Sequence, residues 1–236
     1  MGDLHDLMSK HSKRMLDIPE QFLWCVFECL CIAGLVLEHG DSEQLPVDNW
    51  TSIVHRDMKL ANVFLSLPSE THYRGYPVPK LGDFGLAIML PGGKLSENDG
   101  LNTKGTPSNM PIEQWRELMD EQGVSWPLTP KANVWGVANV VASLLIRQEG
   151  FQELEEFEKH KEPFFNASQA EQYSQALRDL IVDCMRYDPN RRPDLRRALD
   201  VIRTHKLASL PIAPENDPAW NAHMIQPEIL DLVCTP

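Results

Sequence analysis

The segment from Lys131 to Ile146 is apolar on every side when it is drawn as a helix. Its apolar side chains, which are spread around the whole circumference, are Val134, Trp135, Val137, Val140, Val141, Leu144, Leu145 and Ile146. A helix without a polar face has to be covered on all sides by other elements. The sequence therefore predicts a central, buried helix over 131–146, inside a domain that can surround it.

A second helix is predicted over residues 17–39. Asp17 and Glu20 suit a capping box, and Pro19 suits the first turn. Gly40 suits a C-terminal stop. The interior of this segment is apolar over most of its circumference, so we expect the helix to be largely buried.

The remaining pattern predicts a mainly helical fold with a few short strands. The expected strands are Val63–Leu65 and Val78–Leu81, joined by a turn-rich connection. Further helices are expected at about 2–8, 112–121, 151–160, 169–186 and 193–206. From residue 208 onward the sequence is Pro-rich and weakly periodic, which favours a loosely packed tail. We therefore expect one domain over residues 1–207 and a tail over 208–236.

The composition is that of an ordinary globular chain, with 42% hydrophobic and 24% charged residues among 236. The formal net charge of −12 argues against nucleic acid or an anionic membrane as the main partner. No basic and then apolar signal peptide opens the sequence. We also expect every apolar stretch to fall short of a membrane span.

The cysteines predict the compartment. They are odd in number and lack the paired spacing of a zinc site: Cys25, Cys29, Cys31, Cys184 and Cys234. Such a set indicates reduced thiols, and hence a protein of the cytoplasm or nucleus that is not secreted.

A short run over residues 53–65 carries several groups with chemical potential. Asp57 and Asn62 stand five positions apart, with Lys59 between them. Phosphoryl transfer needs a carboxylate for the hydroxyl proton, a cation near the moving phosphate and oxygen ligands for Mg²⁺. The run begins Ile53-Val54-His55-Arg56-Asp57, and with its spacing it resembles the catalytic loop of eukaryotic protein kinases.

Three further motifs follow in the order and spacing of that family. Asp83-Phe84-Gly85 matches the metal-binding motif, and the segment from Gly105 to Glu113 resembles the end of an activation segment. The run from Asp188 to Pro193 resembles a signature near the kinase C-terminus. Together with Gly82 and the runs Ala61–Leu65 and Pro111–Gln114, these motifs are most similar to the NIMA-related (never-in-mitosis) Ser/Thr kinases.

The resemblance implies roles for the polar residues of the site. Asp57 would be the base or orienting carboxylate for an acceptor hydroxyl, and Lys59 would neutralise charge on the γ-phosphate. Asn62 and Asp83 would bind Mg²⁺, and Thr106 would bond Asp57 and Lys59. The implied cofactors are ATP and Mg²⁺. A Lys at this position accompanies Ser/Thr specificity in the family, so the implied partner is a protein with a Ser or Thr acceptor.

The resemblance also implies supporting roles. Phe64 would form the floor of the adenine pocket, while His55 and Phe84 would stack into a hydrophobic column. Arg56 would gather a phosphorylated activation segment, for which Thr103 is a candidate hydroxyl. A further expectation is a buried ion pair that fastens the activation segment to the domain, formed by Glu113 and Arg192.

Some positions depart from the family pattern. Asn109 replaces a Tyr, Ile112 replaces a Pro, and Asn133 replaces an Asp that binds the backbone of the catalytic loop. An Asn oxygen can accept the same bonds without charge assistance. These departures leave open a non-catalytic, kinase-derived module that binds proteins.

The resemblance covers the large lobe of a two-lobed fold. Neither a Gly-rich phosphate loop nor a strand with an ATP-anchoring Lys occurs ahead of Gly2, so we expect a partial kinase domain that lacks the small β-rich lobe. Such a chain is expected to be weak or inactive alone, unless a partner supplies or covers the missing lobe. A misplaced start, with the small lobe encoded upstream, is the remaining alternative.

Overall fold

The computed structural model describes residues 2–42, 46–68, 76–94, 104–114, 126–150 and 165–209. Within them the helices are α1 (Leu4–Lys13), α2 (Glu20–His39), α3 (Lys131–Ile146), α4 (Ala167–Gln172), α5 (Gln175–Cys184) and α6 (Leu195–Ser209). The strands are β1 (Ile53–Val54), β2 (Val63–Pro68), β3 (Pro77–Leu81) and β4 (Ile88–Met89). The predicted helix at 151–160, Thr103 and the tail from residue 210 lie outside the described residues.

The helix α3 is the centre of the domain, as the sequence predicted. It begins at Lys131 and ends at Ile146, and every residue from Ala132 to Leu145 is buried. It packs against α2 and α5. The all-round apolar pattern is therefore explained by cover from neighbouring elements.

The start of α2 differs from the prediction. Pro19 occupies the N-cap position without a side-chain bond, so the proposed capping box is wrong. Asp17 instead pairs with Arg147 at 3.2 Å, and Glu20 accepts bonds from Ser174. The two side chains that were expected to cap the helix therefore bind residues that are distant in sequence. The end of the helix is as predicted, because Gly40 adopts a left-handed φ of 79°.

The helix α2 is also long and apolar enough to cross a membrane, so the expectation that no stretch reaches that length was wrong. Its residues are mostly buried, and the helix packs against α3, α6 and β3. Core helices of soluble domains can have the same length and hydropathy, and the packing of α2 explains its apolar composition.

The strands form two small antiparallel sheets, β1 with β4 and β2 with β3. The pairing of Val63 with Leu81 brings the end of the catalytic loop next to the Asp-Phe-Gly motif. A bond from the Gly82 amide to the Asn62 carbonyl, at 2.9 Å, fixes this approach. The sheets therefore position two chemically active segments that lie more than twenty residues apart in sequence.

Other helices differ from the prediction in their bounds. The expected helix over 169–186 is divided into α4 and α5, because Ser174 caps the amide of Leu177 and starts a new helix. Of the helix expected at 112–121, the described part, Ile112–Gln114, is a single 3₁₀ turn. The mainly helical fold with few short strands is confirmed.

Candidate active site

Asp57 is the centre of the polar site. Its Oδ1 accepts bonds from the Thr106 amide at 3.0 Å and the Thr106 hydroxyl at 2.7 Å. Its Oδ2 lies 3.0 Å from Lys59 Nζ and accepts a bond from Asn62 Nδ2 at 3.0 Å. The carboxylate is nearly buried, and each of its oxygens is oriented by bonds from two directions.

The pKa of Asp57 results from opposing effects. Burial raises it, because a charged carboxylate is poorly solvated inside a protein. Bonds from Thr106, Lys59 and Asn62 lower it, and together they bring the pKa below its ordinary value. Asp57 is consequently an anion at neutral pH, which is the form that can accept a proton.

Lys59 and Thr106 meet across this carboxylate. Lys59 Nζ donates to the Thr106 hydroxyl at 2.9 Å. Thr106 in turn donates to Asp57, so the bonds join three side chains in a closed arrangement. The structure therefore brings together all three residues that the sequence selected as catalytic.

Asn62 and Asp83 carry the side-chain oxygens that the sequence predicted as Mg²⁺ ligands. Asn62 donates through Nδ2 to the carbonyl of Asp57 at 2.8 Å as well as to its carboxylate, and this use of the nitrogen leaves Oδ1 available. Asp83 is exposed and adopts a left-handed φ of 57°, with its side chain accepting from the Gly85 amide at 3.3 Å. Carboxylate and amide oxygens are suitable ligands for Mg²⁺, so the donor set fits the implied ion.

His55 connects the catalytic loop to the segment before Asp83. Its Nε2 bonds the Gly82 carbonyl at 2.9 Å, while its Nδ1 accepts from the Asp57 amide at 3.3 Å. Only the neutral Nε2–H tautomer can make both bonds. Burial lowers the pKa of His55, which favours the same neutral form. Its ring contacts Phe84 edge to face at 5.0 Å, as expected for the hydrophobic column.

Phe64 lies on β2, and 46% of its surface is exposed. A Cβ added to Gly82 would come within 2.6 Å of the Phe64 ring, so this ring position requires glycine at 82. Phe84 is also half-exposed. Both rings therefore expose apolar surface close in sequence to the polar groups of the site.

Arg56 precedes Asp57 in a strained backbone conformation, with a φ of 67°. Its Nε donates to the Leu86 carbonyl at 2.6 Å, which links the catalytic loop to the residues after Asp-Phe-Gly. Its expected role in binding a phosphorylated activation segment stays a prediction.

Asn133 binds the catalytic loop more fully than expected. Its Oδ1 accepts from the His55 amide at 3.0 Å, as predicted, and its Nδ2 donates to the Ile53 carbonyl at 2.7 Å. An ionised Asp cannot make the second bond, because it has no donor. The loss of charge assistance at this position is therefore offset by an additional hydrogen bond.

Glu113 and Arg192 form the expected buried pair. Both guanidinium nitrogens of the Arg192 fork bond the carboxylate, one of them at 2.9 Å, and neither side chain is exposed. The pair joins the end of the activation segment to the residues just ahead of α6.

Two residues with evident structural roles were missed in the sequence. Asn139 donates to Asn109 Oδ1 at 2.8 Å inside the domain, and the signal for it was a polar residue in an otherwise apolar helix. Gln114, which follows Glu113, bonds the backbone of both the catalytic loop and the activation segment. Nothing in its local sequence distinguishes it from a surface glutamine.

Comparison with known proteins shows the family to which the chain is similar. The family model described as "Protein kinase domain" matches residues 49–202. The "G2-specific protein kinase nim-1" of Neurospora crassa is 26% identical over 218 residues, covering 85% of this chain and 23% of that protein. The "Dual specificity protein kinase shkE" of Dictyostelium discoideum is 27% identical over 197 residues, covering 76% of this chain and 24% of that protein.

The "Serine/threonine-protein kinase Nek2" of Mus musculus is 29% identical over 202 residues, covering 84% of this chain and 40% of that protein. The similarity to NIMA-related kinases, expected from the motifs, is thus confirmed. The chain spans about a quarter of the length of nim-1 and shkE.

Proposed function

The chain belongs to the protein kinase domain family, and we propose that it transfers the γ-phosphoryl group of ATP to a Ser or Thr of a protein. The observation that carries this proposal is the closed arrangement of Asp57, Lys59 and Thr106, with Asn62 bound to the same carboxylate. It combines an ionised base, a cation and an oriented amide within one partly buried cluster.

Each residue has a task that follows from its contacts. Asp57 orients the acceptor hydroxyl and accepts its proton, and its lowered pKa keeps it ionised for this purpose. Lys59 provides positive charge beside the transferred group. Asn62 and Asp83 would hold Mg²⁺, which supplies charge neutralisation for the phosphates when it is bound.

The specificity for Ser and Thr rests on Lys59 and its bond to Thr106. Because shkE is named as a dual-specificity kinase, peptides with Ser, Thr and Tyr acceptors should be compared directly. We propose that phosphorylation is confined to the first two.

Activity also depends on how ATP is covered. Phe64 and Phe84 each leave about half of their surface exposed. Phosphoryl transfer relies on positioning from several sides. We propose that the chain functions as a large lobe, that it is weak or inactive by itself, and that a small lobe or a partner covering these rings is needed for full activity.

A protein-binding module without catalysis is the second candidate. The half-exposed rings of Phe64 and Phe84 favour it, since apolar surface of this kind often marks an interaction site. Departures at Asn109 and Ile112 also support it. Against it, the side chains of Asp57, Lys59, Asn62 and Thr106 are held together by hydrogen bonds in the arrangement that the proposed reaction requires.

The proposed compartment is the cytoplasm or nucleus. Its support is that Cys31 and Cys184, among the described residues, are buried free thiols. Cys234 lies outside the described residues. Fractionation of cells that express the chain, followed by immunoblotting, tests this proposal.

Calorimetric titration of the purified chain with Mg·ATP tests the enzymatic proposal. Asp83→Asn removes the negative charge of one candidate ligand, and Asp200→Asn on the exposed face of α6 makes the same charge change away from the site. Binding that is lost in the first variant and kept in the second supports the proposal. A folded chain that binds no Mg·ATP, even when a kinase small lobe is added, would favour the binding module.

A further inference from the structure

Gln114 is an almost fully buried residue at the end of the 3₁₀ turn Ile112–Gln114, with 1% of its surface exposed. Its side-chain nitrogen donates to the Arg56 carbonyl at 2.7 Å and to the Lys104 carbonyl at 2.5 Å. Both amide hydrogens are therefore used, each on a different segment of the chain.

These two carbonyls lie close in sequence to the two residues, Asp57 and Thr106, that bond each other in the candidate site. Arg56 directly precedes Asp57, and Lys104 stands two residues before Thr106. The bonds between Asp57 and Thr106 cross between the same two segments. A single side chain thus joins the two segments next to the contact between Asp57 and Thr106.

The close fit around Gln114 supports this role. Gly105 has a φ of 139°, and a Cβ added there would lie 2.4 Å from the Arg56 carbonyl oxygen and 2.8 Å from Gln114 Nε2. Arg56 itself has a left-handed backbone, which is unfavourable for a residue other than glycine. The bond from Gln114 helps to hold the Arg56 carbonyl in this uncommon orientation.

We propose that Gln114 is a positioning residue that holds Thr106 against Asp57 and so sets the direction of the Asp57 carboxylate. This inference rests on the proposed kinase function for its meaning, although the positioning itself is a property of the folded chain. A glutamate at 114 would have the same shape but would place carboxylate oxygens against two carbonyl oxygens. A methionine would keep the length and remove the donors without adding charge.

Amide hydrogen exchange measured by NMR, in the absence of ATP, tests the proposal. In Gln114→Glu and in Gln114→Met, we expect exchange of the Thr106 amide to accelerate at least tenfold. Amides in the middle of α3 should keep their protection. Gln148→Glu, at an exposed position after α3, is the matched control and should leave the Thr106 amide unchanged.

Two results would overturn the proposal. One is Thr106 exchange within twofold of the unaltered chain in both Gln114 variants. The other is equal acceleration across α3 and Thr106, which would show that Gln114 supports the fold as a whole. Because no nucleotide is used, failure to bind Mg·ATP would contradict the proposed function without changing the exchange result.

If transfer is measured with a small lobe present, kcat should fall at least tenfold in Gln114→Met while the KM for ATP stays within twofold. A changed KM with an unchanged kcat would contradict a role in orienting Asp57.

Discussion

Breaking the buried pair of Glu113 and Arg192 should destabilise the domain strongly and unequally from the two sides. Glu113 receives two bonds from Arg192, and neither side chain is exposed. Arg192 also donates to the carbonyls of Lys131, Arg186 and Tyr187, at 3.0, 2.8 and 3.4 Å. Losing the arginine therefore leaves one buried carboxylate without its partner and removes three bonds to backbone carbonyls. Losing the glutamate charge removes only the partner of the two terminal guanidinium nitrogens.

The magnitude follows from these contacts. Removing one partner of a buried pair costs about 3–5 kcal/mol. We expect Glu113→Gln to fall near the lower end, because the Gln oxygen can still accept one bond, and Arg192→Met to reach the upper end or exceed it. Since domains of this kind are stable by roughly 5–15 kcal/mol, either loss is a large fraction of the total.

Urea unfolding of the purified variants, followed by circular dichroism, measures the effect. The matched control is Arg186→Met, which breaks the exposed pair of Arg186 and Asp183, 2.8 Å apart. That variant should cost less than about 1 kcal/mol. If Arg192→Met lowers the free energy of unfolding by no more than Arg186→Met does, the buried pair does not stabilise the domain and the reasoning fails. An Arg192→Met cost below that of Glu113→Gln would refute the argument from the three carbonyls.

Three further predictions concern buried polar groups. Burial lowers the pKa of His55, so the unfolded chain binds more protons than the folded chain below about pH 6.5, and the free energy of unfolding should decline as the pH falls below that value. The difference between the urea midpoints at pH 7.5 and 5.5 should be smaller in His55→Gln than in the unaltered chain. An equal difference would contradict this prediction. Asn133→Asp replaces the donor to the Ile53 carbonyl by an oxygen and should cost about 1–3 kcal/mol in urea unfolding, whereas an unchanged midpoint would show that this bond contributes nothing. Asn139→Leu should lower the thermal midpoint, because it leaves Asn109 Oδ1 without its donor. The double variant Asn109→Leu/Asn139→Leu should recover part of this loss. A double variant less stable than the single one would refute the argument.

Much of the fold was predictable where a single physical requirement dominates. The helix over Lys131–Ile146 has the bounds expected from its apolar pattern, because no arrangement other than full burial suits such a segment. The sequence also identified Asp57, Lys59 and Thr106, because their motifs have a fixed spacing, and the structure joins them by hydrogen bonds.

The errors arose where distant residues compete with local patterns. Glu20 looked like part of a cap, but Ser174, far along the chain, binds it instead. Ser174 also divides a segment whose periodicity suggested one helix. Gln114 gave no local signal of its structural role, since that role depends on two carbonyls that only the fold brings within reach.

The apolar helix α2 has a consequence for the synthesis of the chain. Its main helical partners, α3 and α6, end roughly 100 and 170 residues after α2 is complete. At about 5–20 residues per second, α2 waits on the ribosome for about 5–20 seconds before α3 exists, and longer before α6 does. During that interval a targeting factor that responds only to length and hydropathy cannot distinguish α2 from a membrane anchor. The yield of folded protein in a cell should therefore depend on how quickly chaperones reach the nascent chain.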